Sequence, residues 1–290
     1  MARSRLHTLY ILLIAALIAA GPVRADDLEV VVSGVGDPVL SNVQSAVSPF
    51  RFTGTGRLTS RRLEQLRLES ETKAQVALRP FGYYHSTVRS TATKTADRSW
   101  RLDVRIDPGP PLMIAASSVE LAGPGAGIPE LRAWRSQWPL REGRILVQPT
   151  WDEQKERALD IAADNGYLLA AFSRSAMEAD LEQNTARLDL LLDTGEQAVM
   201  GEVRLHQDLV RPYIMDNLPR FRPGDPYNAW IMERFRIDLR QMGYFQNIAV
   251  IEDRHLDESP PRVDLDVQLE PRLPNTYQAT IGVGSDTGPR

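Results

Sequence analysis

Three times in this chain a glycine is followed by a tyrosine and then a bulky apolar residue: Gly82-Tyr83-Tyr84, Gly166-Tyr167-Leu168 and Gly243-Tyr244-Phe245. The three sites stand 84 and 77 positions apart. Each closes a helix-like stretch and opens a strand-like one. An aspartate in an alternating strand follows each glycine 21 to 23 residues later: Asp103, Asp189 and Asp266. Two landmarks kept in order over so long a period mean one small domain copied three times. Tandem modules of this size are usually binding surfaces, and enzymes seldom look like this.

The first copy opens with Leu28-Glu29-Val30-Val31-Val32, a β-branched strand ended by Ser33-Gly34. A short helix is predicted over Val39 to Val47 and a longer one from Leu58 to Phe81. In the longer helix Ala74, Ala77, Leu78 and Phe81 recur at helical spacing. Pro80 stops the helix, and Gly82 is placed to take the left-handed conformation after its last turn. Tyr83 and Tyr84 lead into a strand through Thr93, and Trp100 to Ile106 is a second strand with Leu102, Val104 and Ile106 on one face. The second copy repeats this order. Val119 to Leu121 opens it, a short helix starts at Pro129, and Trp151 to Asp164 is the long helix. Ala170 to Met177 and Arg187 to Leu192 are its strand pair. In the third copy Gly201 to Leu205 opens, Leu209 to Leu218 is the short helix and Tyr227 to Met242 the long one. Gln246 to Ile251 and Val263 to Leu269 close it.

The predicted fold class is α+β: three tandem β-α-α-β-β units, each a small mixed three-stranded sheet covered on one face by two helices. The domain limits follow as 26–110, 111–196 and 197–272. The strand after each glycine-aromatic pair should lie at a sheet edge, because the last strand pairs with it and with the opening strand. In the third copy that edge is Gln246, Asn247, Ile248, Ala249, Val250, Ile251 and Glu252. Ile248 and Val250 should face one way and Asn247, Ala249 and Ile251 the other. An edge strand has unpaired N–H and C=O groups that an extended peptide can satisfy, which makes this stretch the candidate client-binding strand.

The first 25 residues read as a leader. Arg3 and Arg5 precede an apolar run from Leu9 to Ala20, and Val23-Arg24-Ala25 offers a small residue for cleavage. Cleavage would take the formal charge from −4 to −7. An acidic chain with no basic tract argues against nucleic acid as a partner. There are no cysteines, so each module must be held by its core alone. His7, His85, His206 and His255 have no ligand-like spacing, and no metal or other cofactor is expected. Asp103, Asp189 and Asp266 lie one per module and read as a solvated sheet face. Gly123-Pro124-Gly125-Ala126-Gly127 lacks the spacing of a dinucleotide loop and reads as a turn. No Gly-x-Ser-x-Gly elbow or cysteine nucleophile is present, so the chain is not read as an enzyme. At the far end Tyr277, Ala279, Ile281 and Val283 alternate with Gln278, Thr280, Gly282 and Gly284. That is one further strand with an apolar face.

The leader, the three units with glycine-aromatic helix ends, and the closing Gly282-Val283-Gly284-Ser285-Asp286-Thr287-Gly288-Pro289-Arg290 together resemble the POTRA-containing outer-membrane assembly superfamily. Within it the order of three modules resembles the TamA family rather than the BamA family, which carries five. The resemblance covers the whole chain. It implies periplasmic modules followed by an outer-membrane β-barrel, with residues 273–290 as that barrel's start. It implies binding of unfolded outer-membrane proteins or autotransporters as clients, and a TamB-like partner anchored in the inner membrane. The alternatives are the POTRA portion of a two-partner-secretion transporter and a soluble periplasmic binding protein.

Overall fold

The computed structural model describes residues 26–48, 58–272, 283–284 and 288–289. It is a mixed α+β fold with three small three-stranded sheets. In chain order the elements are β1 (Asp27–Ser33), α1 (Val39–Val47), α2 (Ser60–Leu78), β2 (Thr87–Ala96) and β3 (Ser99–Asp107). Then come β4 (Met113–Ala122), α3 (Pro129–Ser136), α4 (Gln148–Asp164), β5 (Ala171–Asp180) and β6 (Thr185–Asp193). The third set is β7 (Val199–His206), α5 (Pro212–Asp216), α6 (Ala229–Gln241), β8 (Phe245–His255) and β9 (Arg262–Pro271). Contacts sort the chain into two compact units. One contains the first module with residues 139–152 and 177–188; the other contains the third module with residues 118–138 and 153–176.

Strand order is the same in every sheet: β1-β3-β2, β4-β6-β5 and β7-β9-β8. The last strand of each module is central. In the first module β1 runs parallel to β3, with Val30 beside Leu102, and β2 runs antiparallel to it, with Val88 beside Ile106. The third repeats this, with Leu205 beside Val267 and Val250 beside Val267 on the other side. Alternation puts Leu102, Val104 and Ile106, and likewise Val263, Val267 and Leu269, on the face that the helices cover. The apolar stripe of α1 (Val39, Val43, Val47) and the later half of α2 (Ala74, Ala77, Leu78) close the first core. Met232, Phe235 and Leu239 of α6 do the same in the third. In the middle module Trp134 and Trp138 meet edge to face at 5.4 Å, and the Trp134 indole donates to the Gln154 carbonyl at 3.1 Å.

Two helices, α2 and α6, begin where a side chain satisfies a free N–H group. Thr59 accepts from the Arg62 N–H at 3.2 Å, and Asn228 from the Trp230 N–H at 2.8 Å. Several expected limits move. The opening strand of the middle module starts at Met113, well before Val119, because Met113 and Ile114 pair with the chain at 144–145. The third short helix is only Pro212–Asp216, not Leu209 to Leu218. Pro212 sets its first turn, and the Gln207 side chain holds Val210 in a turn outside it through bonds of 2.8 and 2.9 Å. The inner stripe of α6 is Met232, Phe235 and Leu239, with Ile231 and Met242 only partly buried. The glycine-rich turn at 123–127 forms one 3₁₀ turn, Pro124–Gly127. The strand expected over 277–283 lies almost wholly outside the described residues. At its end Val283 pairs with Pro289 and Gly284 with Gly288.

Candidate functional site

The three glycine-aromatic corners share one backbone conformation. Gly82, Gly166 and Gly243 have φ of +85°, +89° and +72°. Each N–H bonds back to the carbonyl three residues earlier: Arg79, Ala163 and Arg240. At the first two corners the tyrosine N–H then reaches the carbonyl five residues back, Tyr83 to Leu78 at 3.3 Å and Tyr167 to Ala162 at 2.9 Å. That pair of bonds is the Schellman ending, which consumes the helix's last free carbonyls and needs a residue at positive φ.

The first two corners also serve as joints. The Gly82 carbonyl accepts from the Leu112 N–H at 2.8 Å, which fixes the start of the next strand. A Cβ on Gly82 would sit 2.8 Å from the Leu146 carbonyl oxygen. Leu146 bonds back to the Leu112 carbonyl at 2.9 Å, and Val147 packs against the first module's core. At the second joint the Gly166 carbonyl accepts from Ala198 at 2.8 Å, and the Tyr227 N–H reaches the Ala198 carbonyl at 2.8 Å. A Cβ on Gly166 would collide with the Tyr227 carbonyl oxygen. Leu168 packs on the third module's core, whereas Tyr83 packs on its own. The third corner differs. Among the described residues nothing lies within 4 Å of a Cβ on Gly243, and Tyr244 is 54% exposed.

The candidate strand Gln246–Glu252 falls in β8, at the outer edge of its sheet. A register shift between Phe245 and Asn247 leaves Gln246 as an extra residue. Beyond it Ile248 and Val250 are partly buried against the core, while Asn247, Ala249 and Ile251 are exposed. Glu252 anchors the far end. It accepts from the Tyr227 hydroxyl at 3.1 Å, from Arg236 of α6 at 3.0 Å and from Arg254 at 2.7 Å. Burial pushes the Glu252 carboxyl up, but the bonds from Arg254 and Tyr227 and the charges of Arg254 and Arg236 outweigh it and hold it below the usual glutamate range. Burial and the Glu252 charge push the Tyr227 phenol up. One residue, Tyr227, therefore covers the second corner with its carbonyl and ties the edge strand with its hydroxyl. The sequence reading missed it. Its signal was a second repeat, Arg141-Glu142-Gly143 and Arg222-Pro223-Gly224, which precedes Leu146 and Tyr227 by a similar distance.

The repeated aspartates lie on the open sheet faces, each beside a basic group. Arg101 meets Asp103 at 2.9 Å, Arg174 meets Asp189 at 2.6 Å, and His206 meets Asp266 at 3.0 Å. Among the described residues no group of three His, Cys, Asp or Glu is placed to hold a metal ion. No described helix is long and apolar enough to cross a membrane.

Residues 29–108 match the family model described as POTRA domain, TamA domain 1. The other two modules keep that module's strand order and its glycine corner. Residues 29–108 are therefore similar to a TamA-type POTRA domain. Among solved structures it is similar to POTRA domains 3–5 of BamA from Haemophilus influenzae, at 15% identity over 85% of this chain and 96% of that one, with a TM-score of 0.44. POTRA domains 1–3 of the periplasmic domain of Omp85 from Anabaena match at 18% identity over 86% and 96%, with a TM-score of 0.33. CdiB from Acinetobacter baumannii matches at 11% identity over 56% of this chain and 30% of that one, with a TM-score of 0.32.

Proposed function

We propose that this chain is the periplasmic binding and scaffold portion of an outer-membrane protein assembly and translocation factor, and that β8 takes client β-strands by strand addition. Its modules are assigned as 26–110, 111–196 and 197–272, exported by a leader at 1–25 and followed by the start of a barrel at 273–290. The clients are unfolded outer-membrane proteins or autotransporters, and the partner is a TamB-like protein anchored in the inner membrane. No catalytic step, metal or cofactor enters this role.

The observation that carries the reading is the place of β8. It pairs with β9 on one side, and its other side is the outer rim of the sheet. Every second residue of such a strand presents its N–H and C=O outward, so an extended chain can add with bonds to backbone alone. Affinity should then depend little on client sequence. Glu252 keeps one end of the strand tied to α6 while the run from Asn247 to Ile251 is open on its outer face.

The test is a proline scan. Asn247 and Ala249 pair with Glu270 and Gln268 of β9, so the alternate N–H groups of Ile248 and Val250 point outward. Proline at either should weaken binding of unfolded client peptides and leave the fold largely intact, since an edge strand tolerates proline where its N–H is free. Gln246→Ala should matter much less. Crosslinking and titration with the folded variants decide it: parental affinity in both proline variants would move the site to another surface.

A further inference from the structure

The third module carries an aromatic cleft that its fold does not require. Trp230, second residue of α6, is 72% exposed although its backbone is fixed by the Asn228 cap. With Phe221, Ile231 and Phe235 it lines a cleft of about 280 Å³. Phe221 and Phe235 meet edge to face in its floor, 5.6 Å apart. The rim holds Arg220, Arg234 and Asp238. Asp238 is nearly buried, and both arginines converge on it through Nε, at 3.1 Å from Arg220 and 3.4 Å from Arg234. A guanidinium has five donors, so most of those on both arginines remain open beside the exposed indole. Two cations share one carboxylate, which leaves the rim with an excess positive charge.

The middle module shows that the repeat can do without this arrangement. Leu146 and Tyr227 are equivalent, since each carbonyl lies over a glycine corner. Counting from them, Trp230 corresponds to Pro149, Arg220 to Pro139, Arg234 to Glu153 and Asp238 to Arg157. The buried Trp151 corresponds to Met232, so core packing accounts for Trp151 and not for Trp230. A second cleft shares Arg220 and Asp238 and continues past Leu218 to Met242, which gives room for several residues of an extended chain.

We propose that this cleft binds a segment of a partner protein that presents an aromatic side chain beside a carboxylate. The ring would stack on Trp230 over the Phe221–Phe235 floor, and the carboxylate would take the open donors of Arg220 and Arg234. Exposed tryptophan and arginine together are the residue types that dominate interface energies. Arginine suits the planar, two-point recognition of a carboxylate. The site lies on the helix side of the module, apart from the β8 edge.

The test uses three capped peptides that differ only at two central positions: Phe-Glu, Phe-Lys and Ala-Glu. Binding to the full chain is followed by the NMR shift of the Trp230 indole N–H, assigned by its loss in Trp230→Phe. The Phe-Glu peptide should move this signal, with the other two at least about tenfold weaker. Arg234→Glu should weaken Phe-Glu by about tenfold and improve Phe-Lys. Arg234→Gln, which leaves no new charge near Asp238, should give an intermediate loss. Ile248→Pro should leave this binding unchanged, so failure here and failure at β8 read separately. No shift with Phe-Glu up to millimolar, equal affinity for Phe-Glu and Phe-Lys, or a response to lipid vesicles in place of peptides would overturn the proposal.

Discussion

Gly166 and Gly243 both close a helix at positive φ and have different neighbours. Both stand at positive φ with an N–H bonded three residues back. Over Gly166 lies the Tyr227 backbone, close enough to exclude any side chain. Over Gly243, among the described residues, there is open space. The two sites separate two demands that a glycine can meet. One is conformational and belongs to each module alone. The other is steric and belongs to the joint with the next module. The sequence motif reports only the first.

The largest expected effect follows from that separation. Gly166→Val meets both demands and should destabilise the chain by roughly 3 kcal/mol or more, since it adds backbone strain to a collision with main chain. Gly82→Val should come close to it, because a Cβ there stands 2.8 Å from the Leu146 carbonyl oxygen. Gly243→Val should cost only about 1 kcal/mol, the conformational part. Urea melts of the three variants measure this directly. Equal losses at all three would break the distinction, and the glycine-to-alanine series would sharpen it. A smaller pair of effects runs the same way. Leu168→Ala should cost about 1 kcal/mol through lost packing on the third core, while Tyr244→Ala, half exposed, should fall within about 0.5 kcal/mol of the parent.

What was legible in the chain was what local rules decide. Helix endings at Gly82, Gly166 and Gly243, the alternation in β3 and β9, and the edge position of β8 all follow from residue type and near neighbours. The helix limits failed where a proline or a side-chain bond intervened, as at Pro212 and Gln207. The start of β4 was hidden because Ala115-Ala116-Ser117-Ser118 has little strand preference, and its pairing with residues near Arg144 comes from a distant loop. The joint was least visible. Val147, Leu168 and Tyr227 look like ordinary apolar residues of their own modules, and only the path of the chain turns them toward a neighbour. Trp230 carries no local sign of its place either: it stands in a helix beside core residues and is exposed.

Tyr227 links the second joint to the edge strand, and the third corner has no counterpart to it among the described residues. Tyr227→Phe keeps the ring and the covering carbonyl and removes only the bond to Glu252, so it should cost about 1 kcal/mol. The Glu252 carboxyl is held below its ordinary value, and a lowered carboxyl stabilises the fold only while ionised. Its contribution should therefore be complete above the ordinary glutamate value of about 4.3 and fade as pH falls through the lower folded value. Melts of the parent and of Glu252→Gln at pH 6 and pH 3 should show a gap that narrows in acid. A gap of constant size would mean that Glu252 acts through shape and not charge.

The smallest effect concerns the open faces of the first and third sheets. In the first, Asp103 faces the guanidinium of Arg101. In the third, Asp266 faces the imidazole of His206. The hydrogen bond from His206 holds the Asp266 carboxyl below the usual aspartate range. His206→Asn removes the imidazole and its bond to Asp266. The Asp266 carboxyl should then titrate higher, while the melting midpoint at pH 7 stays where it was, because the pair is open to solvent and screened. Carboxyl NMR titration of the parent and the variant reads the first outcome, and a thermal melt the second. If Asp266 titrates at the same pH in both, its low value comes from Gln268 and Arg204 instead.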